Sequence, residues 1–163
     1  RIASSGATAR VKEIIFFEDA LPSEQTGQAV TLTLDQEIDV SRGDLICSAT
    51  NPCETSDQFQ LELVWMDQES GFPGRSYYLK IGATTVNAQI TEIKYKVNIN
   101  TFEHLAATKL ELNDLALVTI KTDKPISYES FATNPAMGSL ILIDRMSNQT
   151  VAAGMIDFAL RRA

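Results

Sequence analysis

Apolar and polar residues alternate along most of the chain, in short runs separated by Gly, Pro, Asn and Asp. Segment 58–66 shows the pattern most clearly, because every second residue is large and apolar. The residues on this apolar face are Phe59, Leu61, Leu63 and Trp65. A period of two predicts a half-buried strand.

The same pattern predicts strands in most other parts of the chain. These segments are 9–17, 28–34, 45–47, 76–82, 84–99, 112–122, 139–145 and 150–160. Segment 100–110 is the exception, and we expect it to be an irregular excursion with one helical turn. Pro125 and Pro135 are expected between strands, where a missing backbone donor does little harm.

Segment 84–99 changes its apolar phase midway. Val86, Ala88 and Ile90 share one face, whereas the apolar set resumes one residue out of step at Ile93. A strand cannot change its buried face without an extra residue, so we predict a β-bulge near Thr91. Such bends allow sheets to curl into barrels.

Segment 139–156 predicts a β-hairpin with Asn148 in its turn and Gly154 at a close backbone approach or a bulge. No predicted strand alternates with a long amphipathic helix, which excludes a doubly wound parallel sheet. The predicted fold class is therefore all-β, with antiparallel barrels. The polar segment 51–57, which contains Pro52, separates two candidate domains at 1–50 and 58–163.

Composition limits the classes of partner. The formal net charge is −7, so chain-wide attraction to nucleic acid or anionic lipid is not expected. The sequence has no apolar run of the roughly 18 residues needed to cross a membrane and no secretory signal, so we expect a cytoplasmic location. Cys47 and Cys53 are expected to be reduced, although their spacing also allows a disulfide. Two thiols and the single His104 are too few for a zinc site.

The motifs that carry chemistry are absent or explained by turns. Neither a P-loop nor a guanine-recognition motif is present, so we predict no catalytic, cofactor-binding or metal site. The Arg-Gly-Asp at 42–44 and the glycosylation sequon at 148–150 are expected to be turns. His104 beside Glu103 could form an acid–base pair, but a surface hydrogen-bonding role is favoured.

The remaining charged residues have ordinary explanations. The carboxylates Glu62, Asp67, Glu111 and Asp114 are spaced as exposed strand or turn residues. The basic pairs Arg10–Lys12, Lys94–Lys96 and Arg161–Arg162 could form a local stripe, but strand residues that extend their charged ends into solvent explain them equally well. No active site emerges from the sequence.

A resemblance now becomes apparent. Segment 124–156, KPISYESFATNPAMGSLILIDRMSNQTVAAGMI, resembles the closing strands of domain III in elongation-factor-type GTPases. Segments 59–68 and 74–98 resemble the opening of that domain, and segment 27–46 resembles the last part of the domain II barrel. Within this superfamily, segment 97–118 and the terminal GMIDFALRRA are similar to large subunits of sulfate adenylyltransferase, including forms fused to adenylylsulfate kinase. Translation factors diverge in both places.

The resemblance implies a function for the whole protein. The large subunit is a GTPase whose nucleotide domain precedes the barrels and uses GTP and Mg²⁺. With a small catalytic subunit it makes adenylyl sulfate and pyrophosphate from ATP and sulfate, driven by GTP hydrolysis. The barrels would dock the GTPase domain and the small subunit without catalytic groups of their own. This region by itself should be inactive.

The resemblance also implies that domain II is incomplete. The first residue is Arg1 rather than Met, and the opening strands of domain II are missing before it. We therefore expect segment 1–50 to be poorly ordered, rearranged, or completed by edge pairing with a second copy. The alternative function is that of tRNA-clasping barrels of a translation elongation factor, whose affinity for RNA should fall steeply with salt.

Overall fold

The computed structural model describes residues 1–17, 19–23 and 25–160. The chain divides into two compact units, one of residues Arg1–Pro52 and one that begins at Cys53. The first long strand of the second unit begins at Glu54. Residues 54–57 of the predicted linker therefore belong to a strand.

The first unit contains a three-stranded antiparallel sheet in the order β2–β1–β3. Its strands are β1 (Val11–Phe16), β2 (Asp19–Leu21) and β3 (Thr31–Leu34). The predicted strands at 9–17 and 28–34 are thus present but shorter, and β2 is an additional strand between them. The predicted strand 45–47 is reduced to a single bridge between Ile46 and Ile2.

The second unit is a closed antiparallel barrel of six strands. In chain order its elements are β4 (Glu54–Trp65), β5 (Ser76–Ile81), β6 (Thr84–Val97), β7 (His104–Leu105), β8 (Leu115–Tyr128), α1 (Pro135–Gly138), β9 (Ser139–Asp144) and β10 (Thr150–Ala159). The strand order is β5–β9–β10–β4–β8–β6, and pairing of β5 with β6 closes the barrel. The two-residue strand β7 is added to the end of β6. The all-β prediction is confirmed.

The apolar face predicted for segment 58–66 lines the barrel interior. Phe59, Leu61 and Leu63 are fully buried, and Trp65 is 1% exposed. Trp65 packs edge-on against Tyr77, with 5.8 Å between ring centroids. The alternation of apolar and polar residues therefore correctly predicted both the strand β4 and the face that it buries.

The predicted β-bulge in β6 is also present. Ile90 pairs with Ile120 and Glu92 with Thr119, so Thr91 is the extra residue of β6. The Thr91 hydroxyl donates to the Thr119 carbonyl at 3.1 Å. The bulge lets both Ile90 and Ile93 face the core, where they are 0% and 8% exposed.

One prediction for this unit was wrong. Pro125 lies inside β8, where the pairing with β4 shifts register between Ser56 and Gln58. No residue of β4 pairs with Pro125, so the backbone N–H that proline lacks is not needed there.

Segment 100–110 is irregular apart from the short strand β7, in which His104 and Leu105 pair with Val97 and Lys96. One i→i+4 hydrogen bond, from the Phe102 N–H to the Asn98 carbonyl at 2.7 Å, closes a single turn at its start, but no helix forms. Within the described part of the chain, the helix α1 is the only one, and none is long and apolar enough to cross a membrane.

The β9–β10 hairpin forms as predicted. Asn148 adopts a left-handed conformation in its turn, with φ of 58°. Gly154 lies where a Cβ atom would come within 2.9 Å of Leu61 Cδ1 and 3.0 Å of Leu140 Cδ1. The close approach at Gly154 is thus made by leucine side chains and not by a neighbouring backbone, and no register shift falls at this residue.

Candidate functional site

Three connections meet at one end of the barrel, which we call the loop end. They are residues 66–75 between β4 and β5, residues 98–114 between β6 and β8, and residues 145–149 between β9 and β10. They share this end because the barrel strands are antiparallel. The ion pairs of Arg75, Lys96 and Lys109 are found at this end.

Asp144 organises the first polar cluster of the loop end. Its Oδ1 accepts hydrogen bonds from the backbone N–H groups of Ser147 (2.8 Å) and Met146 (2.9 Å), and its Oδ2 accepts one from the Arg75 guanidinium at 2.8 Å. The backbone donors of Ser147 and Met146, helped by Arg75, lower the pKa of Asp144 to about 2. Asp144 is therefore ionised at neutral pH, which suits it to hold the turn and not to transfer protons.

Lys96 is the centre of the second cluster. Its Nζ lies 2.5 Å from Asp114 Oδ2 and 3.7 Å from Glu111 Oε2. Lys109 contacts the other Glu111 oxygen at 2.8 Å, and this contact lowers the pKa of Glu111. Glu111 stays exposed as expected, whereas Asp114 is half-buried, and both carboxylates pair with Lys96 at the end of β6.

His104 and Glu103 do not form an acid–base pair. The His104 ring stacks on Tyr95 with 3.7 Å between centroids and 10° between the planes. The Glu103 carboxylate accepts a hydrogen bond from the Thr101 hydroxyl at 3.1 Å. His104 therefore covers the outer side of β6 without a carboxylate partner at its nitrogens among the described residues.

The sequence motifs are used in turns. In the first unit, the Asp44 carboxylate accepts hydrogen bonds from the Ser4 hydroxyl (2.6 Å) and the Ser41 N–H (2.8 Å), and these bonds lower its pKa. Gly43 before it has φ of 98°. In the second unit, the sequon residue Asn148 forms the hairpin turn. Both motifs have the local structural role that turn chemistry predicts.

The other candidate groups are dispersed. Cys47 and Cys53 form no disulfide. Glu62 is exposed on β4, and Asp67 accepts a hydrogen bond from the Glu69 N–H. Arg10, Lys12 and Lys94 are exposed, whereas Arg161 and Arg162 lie outside the described residues. Across residues 1–17, 19–23 and 25–160, no group of three or more His, Cys, Asp or Glu side chains could hold a metal ion.

Solved protein structures share this fold. The chain is similar to Sup35 in crystal structures with GDP and with GMPPNP, with TM-scores of 0.82 and 0.80. The likeness covers 94% and 95% of this chain and 38% of each Sup35 chain, at 20% and 19% sequence identity. At this level of identity the similarity establishes the fold alone.

Residues 58–157 match the GTP-eEF1A C-terminal domain-like family, and the chain belongs to that family. It is 41% identical over 156 residues to sulfate adenylyltransferase subunit 1 of Saccharophagus degradans, covering 96% of this chain and 33% of the relative. It is 43% identical over 162 residues to the bifunctional enzyme NodQ of Rhizobium sp. (strain N33), covering 99% of this chain and 25% of the relative. The bifunctional enzyme CysN/CysC of Xylella fastidiosa is 42% identical over 156 residues, covering 96% and 25%.

These relatives confirm the resemblance to sulfate adenylyltransferase that the sequence shows. The chain spans a quarter to a third of the length of the curated relatives described above.

Proposed function

We propose that this chain is the C-terminal barrel region of the large subunit of a GTP-dependent sulfate adenylyltransferase. The whole enzyme makes adenylyl sulfate and pyrophosphate from ATP and sulfate, and GTP hydrolysis drives the reaction. In this proposal the barrels dock the GTPase domain and the small subunit in the cytoplasm, and GTP and Mg²⁺ belong to the GTPase domain. The observation that carries the proposal is the 41–43% identity to such proteins over 96–99% of the chain.

The polar contacts of the barrel support a docking role. Asp144, Glu111 and Asp114 are engaged in turns and ion pairs that hold the connections at the loop end. A ligand shifts a domain equilibrium only through contacts that differ between the two states. A docking body with ordered connections presents the same surface in both states, so the contacts that change are those of the moving domain. The bonded carboxylates supply such rigidity.

A chimeric large subunit tests the proposal. The region of Saccharophagus degradans subunit 1 that aligns with this chain is replaced by it, and the chimera is combined with the native small subunit. We expect GTP-dependent pyrophosphate release from ATP and sulfate within about tenfold of the native rate. The control chimera carries the matching barrels of Sup35, which have the same fold at 20% identity, and it should be inactive.

Two outcomes would contradict the proposal. One is a chimera that is no more active than the Sup35 control. The other is tight, strongly salt-dependent binding of tRNA by this chain, which would support the translation-factor alternative. The net charge of −7 argues against the second outcome.

A further inference from the structure

The two longest connections of the loop end are anchored to the barrel through each other. Among residues 66–75 and 98–114, all of which the structure describes, Gly71 and Leu110 are the only buried ones. The Gly71 N–H donates to the Leu110 carbonyl at 2.9 Å, and the Leu110 N–H donates to the Gly71 carbonyl at 2.8 Å. The one buried residue of each connection is therefore bonded to the one buried residue of the other.

The Gly71 backbone lies directly on the ring of Trp65. A Cβ atom at Gly71 would come within 2.6 Å of Cη2 and 2.7 Å of Cζ3 of this ring. The ring is itself fixed, because its Nε1–H donates to the Glu69 carbonyl at 2.8 Å and because it packs edge-on against Tyr77. Position 71 therefore admits no side chain while the connection is seated on Trp65.

Leu110 fastens the other connection to the core. It is 0% exposed and belongs to the same cluster of buried residues as Trp65 and Tyr77. Its neighbours Lys109 and Glu111 are both exposed. Loss of the Leu110 contact would therefore free this part of the connection from the barrel.

The strands next to the connections are held by other bonds. The Trp65 N–H donates to the Asp114 carbonyl at 2.9 Å, which ties the end of β4 to the start of β8. The Gly74 N–H donates to the Ile90 carbonyl at 2.9 Å, which holds the connection where β5 begins. The barrel strands therefore do not depend on the bridge between Gly71 and Leu110.

We propose that segments 67–73 and 106–110 form one latch across the end of the barrel, which opens as a unit while the strands stay paired. Each segment loses its buried anchor when the other leaves, so the open and closed forms are two discrete states. A contact made with either connection therefore changes the other, which couples the two across the barrel end. The latch is a property of the barrel itself, whether or not the chain serves a sulfate adenylyltransferase.

Hydrogen exchange followed by nuclear magnetic resonance measures the opening in the unsubstituted chain. The Trp65 indole N–H, the Gly71 amide and the Leu110 amide should share one opening constant, because all three bonds break in one event. This constant should be at least about tenfold larger than that of the paired amides of Leu61 and Val118 in β4 and β8.

Two substitutions should open the latch from opposite sides. Gly71→Ala acts by steric overlap with the indole, and Leu110→Ala acts by removing the apolar anchor. Leu110→Ala should accelerate exchange of the Trp65 indole N–H by about tenfold or more, although Leu110 makes no hydrogen bond to that group. Gly71→Ala should have a similar effect. Trp65 is the only tryptophan, so quenching of its fluorescence by acrylamide should also rise in both variants.

Leu112→Ala and Phe72→Ala are the matched controls. Leu112 lies in the same connection as Leu110 but is 47% exposed, and Phe72 follows Gly71 but is 49% exposed. Both variants should keep the indole exchange rate within about twofold of the unsubstituted chain, because neither side chain anchors the latch.

A latch is excluded if the Trp65 indole and the Leu110 amide open with constants that differ by about tenfold or more, since the connections would then move independently. It is also excluded if Leu112→Ala matches the effect of Leu110→Ala, or if the Leu61 and Val118 amides are accelerated equally, which would indicate global unfolding. Should a variant fail to fold, exchange in the unsubstituted chain decides the question. The activity of the chimera tests the proposed function separately.

Discussion

Arg75 Nη2 lies 2.8 Å from Asp144 Oδ2, and this ion pair joins the start of β5 to the end of β9 at the loop end. The other Asp144 oxygen holds the hairpin turn through the N–H groups of Ser147 and Met146. The Asp144 carboxylate therefore links the β4–β5 connection to the β9–β10 connection at the loop end.

The first prediction concerns the pH dependence of barrel stability. The pKa of Asp144 is lowered from 3.8 to about 2 in the folded protein. Its stabilising effect is therefore complete above about pH 5 and is lost as the pH falls through 3.8 to about 2, because the carboxyl of the unfolded chain takes up its proton at a higher pH than the folded one does. Asp144→Asn should lower the urea midpoint of unfolding at pH 7 and have little effect near pH 2. Glu62→Gln, on an exposed strand position, is the control, and an equal response of both variants to pH would contradict the assignment.

The second prediction concerns Gly154. A Cβ atom there would lie 2.9 Å from Leu61 and 3.0 Å from Leu140, both of which are core residues. Gly154→Ala should lower the free energy of unfolding by about 1 kcal/mol or more, since overpacking costs about 1–3 kcal/mol and the gain in strand propensity is smaller. Adding Leu140→Val should recover part of the loss in chemical denaturation.

Ala153→Ser serves as the control for Gly154→Ala, because Ala153 directly precedes Gly154 on β10 and is half-buried. It should change the free energy of unfolding by about 0.5 kcal/mol or less. A Gly154→Ala variant with a higher free energy of unfolding would contradict the prediction, because Leu61 and Leu140 would then have moved to accommodate the added methyl group.

The third prediction concerns the bulge in β6. Deleting Thr91 should prevent cooperative folding of the barrel, since either Ile90 or Ile93 would then point to solvent. Thr91→Ala removes only the hydrogen bond to the Thr119 carbonyl, and we expect it to cost about 0.5–1.5 kcal/mol. Thermal unfolding followed by near-ultraviolet circular dichroism distinguishes the two variants. A folded deletion variant of native stability would refute the role assigned to the bulge.

The fourth prediction concerns Asn148, which has φ of 58° in the β9–β10 turn. Asn148→Ala should destabilise the barrel by about 1 kcal/mol, because alanine tolerates the left-handed region poorly. Asn148→Gly should be neutral or stabilising, since glycine adopts this conformation without steric cost. The two melting temperatures, compared with that of the unsubstituted chain, test the difference, and equal temperatures for both variants would exclude a conformational role.

The barrel strands could be predicted from the sequence because their signals are local. The alternation through Phe59 to Trp65 and the change of phase between Ile90 and Ile93 each follow from the two-residue period of a strand. Pro125 could not be placed correctly by the same reasoning. Its tolerance inside β8 depends on a register shift opposite it in β4, which is a property of the paired strands.

The loop end could not be predicted because it depends on topology. Phe72, Phe102 and Met146 are far apart along the chain, and each resembles an isolated apolar residue in a loop. Antiparallel pairing around a closed barrel brings their connections to one end. Segment 100–110 gave no periodic signal because its strand β7 has two residues, too few for alternation to be recognised.

The position of β4 in the barrel constrains how the unit folds during synthesis. β4 is the first barrel strand to leave the ribosome, yet its two neighbours are β8 and β10. The edge of β4 that pairs with β10 therefore has no partner until residues 150–159 have been synthesised. The β5–β6 hairpin is local in sequence and can form much earlier. A nascent chain that stalls before this last strand leaves the edges of β4 and β9 that pair with β10 without partners, and we expect chaperone dependence to persist until β10 has emerged.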